Sequence, residues 1–431
     1  MQDGRDIAEA SGPGPAPGQG WEWRFWTIFC GQAASLIGSA LTQFVLIWWI
    51  TDTTGSVSAL ALAGLVALLP QALLAPLGGT LADRYSRRLI MITADLVSAL
   101  AMVVLIALFL SGRIELWHIY SLMFLRSAMQ AFQQPAAAAS TAMLVPEHFL
   151  PRAAGLNQVL MGVMTIAAAP LGALAISVMP IGYALSIDVV TAILGIVPLL
   201  IYTIPQRRIP KESRQSLWTE FREGVSLVRG DAVLWRVFVL MTVVVMVLMP
   251  SFTLVPLLVK EHFGGGAPQV ALIEGLGGAG MILGGMIVTA LAPKRLMLWV
   301  LWGFAASCFT FALAALVPGG LFWLAVCFWV ISSVTFILGN APLTVLIQTR
   351  VPNHLQGRAL SLMATMMGLA APVGLAVATP LGEVIGIRWL FVAMGVVSGL
   401  VALSGFLSPV LRATWPQRGG EGRAGQDRGA G

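Results

Sequence analysis

Gly79-Thr80-Leu81-Ala82-Asp83-Arg84-Tyr85-Ser86-Arg87-Arg88 joins two apolar runs, residues 57–82 and 88–110, each long enough to cross a bilayer. A hydrocarbon core about 30 Å thick takes roughly 20 helical residues. A short turn with three arginines between two such runs therefore reads as a membrane hairpin. The pattern recurs along nearly the whole chain: apolar runs stand at 24–50, 57–82, 88–110, 117–140, 153–178, 180–204, 233–260, 268–292, 296–317, 321–348, 356–383 and 387–411. The expected fold is an all-α membrane protein with 12 transmembrane helices.

Composition agrees. The 431 residues are 58% hydrophobic and 10% charged, whereas a soluble domain is about 25% charged. Too little polar side chain remains to clothe a water-facing surface, which excludes soluble enzymes and nucleic-acid-binding modules. The formal charge of +6 sits in short clusters between apolar runs, where the bilayer accounts for it and no nucleic-acid partner is needed. None of Lys211, Lys260 and Lys294 closes a G-x-x-x-x-G-K-[S/T] loop, and His118, His148, His262 and His354 form no H-E-x-x-H pair. G-x-S-x-G is absent as well. ATP hydrolysis by a phosphate-binding loop, metalloprotease chemistry and serine-hydrolase chemistry thus lack their residues, so no catalytic activity, metal or cofactor is expected. Cys30, Cys308 and Cys327 each fall inside an apolar run and read as small core hydrophobes.

Lys and Arg set the orientation. With both tails and the even-numbered loops inside, all of the 25 basic residues are cytoplasmic except Arg113, Lys260 and Arg388 on the other side and Arg126 within a span. Cytoplasmic retention of basic residues then places both termini inside a multi-pass protein of the cell (inner) membrane. The expected organisation is a disordered tail at 1–20, a six-helix bundle at 21–204, a cytoplasmic linker at 205–232, a second bundle at 233–411 and a disordered tail at 412–431. In the linker, Trp218, Phe221, Val225 and Val228 recur at helical spacing opposite Arg222, Glu223 and Arg229, as in a helix lying on the inner membrane surface.

The halves echo each other. Val145-Pro146-Glu147-His148 through Leu156 and Val351-Pro352-Asn353-His354 through Leu362 match at six of twelve positions, Gly78-Gly79 corresponds to Gly284-Gly285, and Ala168-Ala169-Pro170-Leu171-Gly172 corresponds to Ala370-Ala371-Pro372-Val373-Gly374. Two pseudo-symmetric six-helix bundles about an axis normal to the membrane form a transporter architecture, with a substrate cavity between them and alternating access by rocking.

The stretch from Gly79 to Arg88 resembles the loop signature of the major facilitator superfamily: Gly, three residues, Asp, Arg, any residue, Gly, then two basic residues. Ser86 stands in place of the second glycine, which requires negative φ there. The resemblance implies a gate motif of Gly79, Asp83, Arg84, Arg87 and Arg88. In it Gly79 allows close helix contact and Asp83 meets a helix end and the arginines by charge-assisted hydrogen bonds. From about 24 to 411 the chain is similar to this superfamily. Phe124-Leu125-Arg126-Ser127-Ala128, Ala131-Phe132, Pro135-Ala136, Gly155, Gln158, Pro170, Ile187-Asp188-Val189 and Ile204-Pro205 resemble its macrolide efflux branch. Span five carries Ala169-Pro170-Leu171-Gly172 where drug antiporters have a Gly-Pro pair. Spans one, four, seven and ten line the cavity in the superfamily, which makes Gln43, Gln130 and Asn340 candidate substrate contacts. Hydrogen bonding between helices is the competing use.

Charged side chains inside a bilayer cost at least about 2.5–3.5 kcal/mol and need reasons. Arg126 and Asp188 lie at comparable depths in spans four and six and can pair, either as a responsive charge pair or as an inert staple. Glu274 has no Lys or Arg well inside any span of its half, so it is the first choice as proton carrier; the other reading is a carboxyl wetted by the outer vestibule. Asp95 either orders the gate arginines or carries protons. Met246, with Met249, Pro250 and Phe252, suits an adaptable apolar pocket or plain packing. The function expected is proton-coupled efflux of amphipathic drugs such as macrolides by a monomer in the lipid bilayer. A siderophore or metabolite exporter of the same fold and a non-transporting scramblase or sensor are the alternatives.

Overall fold

The computed structural model describes residues 20–204, 228–351 and 356–412, together with Arg222, Val225 and Ser226. The expected tails and most of the linker, with its amphipathic helix, lie outside the described residues, as does part of the second copy of the repeated loop. Among the described residues, twelve long helices follow the apolar runs. They are α1 (Trp21–Thr54), α2 (Val57–Arg84), α3 (Arg87–Leu110), α4 (Leu116–Leu144), α5 (Leu150–Val178) and α6 (Ile181–Ile201) in the first half. In the second half they are α7 (Ala232–Phe263), α8 (Ala267–Leu291), α9 (Leu296–Leu316), α10 (Phe322–Arg350), α11 (Gln356–Ile385) and α12 (Ile387–Ser404). Eleven are long and apolar enough to cross a membrane. The other, α4, has 29 residues but carries Arg126, Gln130, Gln133 and Gln134, polar groups that a lipid-facing helix avoids and a cavity-lining helix needs.

Short local signals end the helices. Gly55 closes α1 in the left-handed region at φ 56°, and the Ser56 hydroxyl accepts the Ala59 N–H to open α2. Asp231 caps α7 by accepting from the N–H groups of Val233 and Leu234 at 2.8 and 3.1 Å. Within α7 the chain passes through Met249 into Pro250, whose missing N–H interrupts the helical ladder.

Packing repeats with the sequence. In the first half α1 packs on α5 and α6, α2 on α4, and α3 on α4 and α6; the second half pairs α7 with α11 and α12, α8 with α10, and α9 with α10 and α12. The halves meet through α5 against α8 and α2 against α11. Helices in lipid associate by close packing at small residues, and the duplicated glycines sit at equivalent crossings. A Cβ on Gly78 would lie 1.9 Å from the Ala131 carbonyl oxygen of α4, and one on Gly284 would lie 2.7 Å from the Val334 carbonyl oxygen of α10. Likewise Gly172 faces Phe44 of α1 and Gly374 faces the Met246 carbonyl of α7.

This corrects one expectation. Gly79 was expected to permit close contact, but a Cβ there meets nothing within 4 Å; Gly78 makes the approach. Gly78→Ala therefore lowers the thermal midpoint of the purified protein, at a cost of about 1–3 kcal/mol or more. Gly79→Ala leaves it unchanged or raises it slightly. Equal midpoints for the two variants would refute the assignment. Of the cysteines, Cys308 is buried, but Cys30 and Cys327 are exposed on the outer surface of their helices, so only Cys308 is a core residue.

Candidate functional site

The turn after α2 is built on backbone carbonyls. Ser86 has φ −62° and caps α3 by accepting the Leu89 N–H, so serine replaces glycine here without strain and adds a cap. Arg87 is buried; its Nε donates to the Ala82 carbonyl at 3.2 Å and Nη1 to the Ala139 carbonyl at 3.0 Å. Arg88 donates Nε to the Leu199 carbonyl and Nη2 to the Leu200 carbonyl at 2.6 Å. Both arginines thus tie the start of α3 to α2, α4 and α6; the Ala82, Leu199 and Leu200 carbonyls stand in the last turns of α2 and α6, where helix carbonyls lack intrahelical partners and attract cations. Arg84 is exposed, and the side chain of Asp83 lies outside the described residues.

Deeper in the first half, the expected charge pair forms: Arg126 Nη1 stands 3.0 Å from Asp188 Oδ2, with side chains 11% and 7% exposed. Asp188 Oδ1 also accepts from Ser39 Oγ at 3.0 Å. Asp95 does not serve the gate arginines; its Oδ2 accepts from Gln32 Nε2 at 3.1 Å. Gln32 Nε2 also donates to the Gly195 carbonyl at 3.1 Å, and Gln133 Nε2 donates to Gln32 Oε1 at 2.7 Å. Helices α1, α3, α4 and α6 thereby converge on a cavity of about 30 Å³ lined by Ser39, Asp95, Arg126, Gln130, Gln133 and Asp188 among others. One or two water molecules fit such a space.

Gln133 and Leu36 separate this charged cavity from a larger one of about 380 Å³ towards the end of the bundle where α1 starts. Its walls are mostly apolar side chains of α1 (Phe25, Ile28, Phe29), α4 (Leu144) and α5 (Leu160, Met161), with Gln32, Gln133, Gln134, Ser140, Thr141 and Asn157 as polar points. A mostly apolar hollow with a few convergent polar groups suits an amphipathic ligand.

The other expected site residues are dispersed. Gln130 joins the charged cavity. Gln43 is exposed on α1, Asn340 is half-buried on α10, and Met246 is half-buried on α7, where its carbonyl faces Gly374. Glu274 is half-buried on α8 and has no hydrogen-bond or ion-pair partner among the described residues. It neighbours Gly275, whose Cβ position lies 3.2 Å from Pro170 of α5, so it stands beside the seam between halves. Gln32 and Gln133 were missed, although spacing marks both. Gln32, Ser35 and Ser39 are three and seven residues apart, and Arg126, Gln130 and Gln133 are four and seven apart, so each trio shares one helix face.

At the opposite end of the bundle the halves are joined by polar bonds. The Ser58 backbone N and Oγ donate to Glu383 Oε1 at 3.0 and 2.7 Å. Lys260 Nζ donates to the Asp52 carboxylate at 3.1 Å and to the Asp52 carbonyl at 2.7 Å.

Two six-helix halves meeting through α2–α11 and α5–α8 are matched by the sequence itself: the model of the Major Facilitator Superfamily fits residues 28–375. The chain belongs to the major facilitator superfamily. Within it, the chain is 32% identical over 392 residues to macrolide efflux protein A of Streptococcus pyogenes, covering 89% of this chain and 95% of that one. It is 24% identical to the multidrug efflux pump Tap of Mycobacterium tuberculosis over 393 residues, 86% of this chain and 90% of the pump. Among solved structures, the fold is similar to a bacterial homologue of the human lysosomal transporter Spinster in an inward-facing and unoccupied conformation. That match has a TM-score of 0.69 at 15% identity and covers 92% of this chain and 98% of the other. The protein is therefore a multi-pass major facilitator transporter whose relatives include macrolide and multidrug efflux proteins.

Proposed function

We propose that this transporter exports bulky amphipathic compounds of the macrolide type in exchange for protons, by alternating access. The observation that carries the reading is the pair of adjoining cavities: an apolar hollow of about 380 Å³ beside a charged one of about 30 Å³, with Gln133 in the wall of both. The first suits the ligand and the second suits the proton. The efflux relatives supply the substrate class.

With both termini cytoplasmic, the larger cavity faces the cytoplasm and the Ser58–Glu383 and Asp52–Lys260 bonds close the outer end. Ligand enters from the cytoplasm or the inner leaflet. The outer bonds then break, the halves rock, and ligand leaves as a carboxyl takes a proton from outside. Glu274 and Asp95 are the proton-coupling groups; Arg126 and Asp188 hold the first half in a proton-responsive arrangement.

Everted vesicles from cells that produce the protein test the reading. Under an inward-acidic gradient they accumulate a fluorescent macrolide severalfold over vesicles lacking the protein, and a protonophore abolishes the difference. Accumulation that survives the protonophore eliminates proton exchange.

A further inference from the structure

Gln32 is committed on both sides of its amide. Its Nε2 stands 3.1 Å from Asp95 Oδ2 and 3.1 Å from the Gly195 carbonyl oxygen, and a carboxylate and a carbonyl only accept, so both N–H bonds are used. Its Oε1 must accept in turn, and Gln133 Nε2 donates to it at 2.7 Å. With that nitrogen turned to Gln32, Gln133 Oε1 has no hydrogen-bond partner among the described residues, and Gln133 lines the larger cavity. An ionised Asp95 therefore dictates, through two amides, that a carbonyl oxygen is what Gln133 offers to a ligand.

Asp95 is also the member of the charged cavity whose charge is not cancelled. Arg126 of α4 and Asp188 of α6 pair with each other at 3.0 Å. Helix α1 contributes Gln32, Ser35 and Ser39, and α2 brings no charged side chain before Asp83.

We propose that Gln32 and Gln133 form a polarity relay: ionised Asp95 makes the larger cavity select cations bearing an N–H donor, protonated amines, and protonated Asp95 removes that selectivity. The proton arrives through water in the small cavity and forms an O–H bond at Asp95, which then donates instead of accepting. Gln32 turns to accept it and donates to Gln133 Oε1, and Gln133 turns its NH₂ group to the ligand. The Gly195 carbonyl, inside α6, keeps its helical partner. A ligand N–H now meets a donor and is expelled. Gln32 and Gln133 are thus positioning and specificity residues, and the inference rests on the proposed export reading for its physiological ligand.

The test uses the full chain in lipid nanodiscs and two dansyl-alkyl probes, one ending in dimethylammonium and one in trimethylammonium. Their sulfonamide nitrogens are methylated, both are cationic throughout, and only the first has an N–H. At about pH 8 the dimethylammonium probe binds about tenfold more tightly, as one hydrogen bond to a charged group allows; at about pH 5 the two bind alike. Gln133→Leu abolishes the preference, and in Gln32→Leu the preference no longer changes with pH. Equal affinities in the unsubstituted protein at about pH 8, or a preference that still shifts with pH in Gln32→Leu, overturn the relay. Gradient-driven transport without discrimination between the probes removes the relay alone; discrimination without gradient-driven transport removes the export reading alone.

Discussion

Arg126→Leu, with Asp188 left in place, lowers the thermal midpoint of the purified protein sharply, and the double substitution Arg126→Leu/Asp188→Leu recovers most of that loss without recovering transport. The first half of this expectation is electrostatic. The pair is held at 3.0 Å with side chains 11% and 7% exposed, so removal of one partner strands a charge out of water, at a cost of about 3–5 kcal/mol. Among the described residues, Ser39 donates the one further hydrogen bond to the Asp188 carboxylate and does not replace a guanidinium. Removal of both charges restores neutrality, and apolar replacements for buried ion pairs are often no less stable. The second half separates the two roles open to the pair. An inert staple predicts that the double variant, once stable, transports normally; a pair that answers to the proton on Asp95 in the shared cavity predicts a stable but silent protein. Thermal unfolding together with vesicle uptake reads both, and normal uptake by the double variant defeats the responsive role.

The architecture was legible because it is written in period and length. Apolar runs near 20 residues have one structural outcome in lipid, so helix limits such as Arg87–Leu110 and Leu296–Leu316 fall close to the expected 88–110 and 296–317. The duplicated glycines also carried physical content, because Gly78 and Gly284 occupy equivalent crossings. What sequence could not resolve was which of two adjacent glycines faces the neighbouring helix. Gly78 and Gly79 differ by about 100° of helical rotation, and only packing chooses between them.

The site was half legible for a similar reason. Charges announce themselves in an apolar span, so Arg126, Asp188, Asp95 and Glu274 stood out. Amides do not, because glutamine is tolerated in many interhelical contacts. Gln43 and Asn340 were singled out and Gln32 and Gln133 were not, and the difference is which helix face meets an acidic group. The arginines of the α2–α3 turn carried a second ambiguity: a basic cluster that fixes topology also neutralises free carbonyls at helix ends. The bonds of Arg88 to the Leu199 and Leu200 carbonyls at the end of α6 are the second use.

Glu274→Gln is expected to reduce proton-driven efflux at least about tenfold while ligand binding and gradient-independent exchange of ligand persist. The reason lies at the seam between halves. A Cβ on Gly275 of α8 would lie 3.2 Å from Pro170 of α5 and one on Gly278 would lie 2.7 Å from Ile166, so the two helices approach closely there, and Glu274 stands beside that crossing, half-buried and without a partner among the described residues. An ionised carboxylate there favours an arrangement that admits water, and a protonated one favours closure, because a charge kept in low dielectric costs at least about 2.5–3.5 kcal/mol. That is more than the roughly 1.4 kcal/mol that shifts an equilibrium tenfold. Glutamine fixes the neutral choice: the seam still supports ligand exchange but no longer responds to the proton gradient. Glu274→Asp, which retains the carboxyl, restores part of the coupling. The two measurements are gradient-driven uptake into everted vesicles and exchange of internal for external ligand with no gradient imposed. Unchanged gradient-driven uptake in Glu274→Gln returns this residue to a carboxyl wetted by the outer vestibule and leaves Asp95 as the proton-coupling group of the charged cavity.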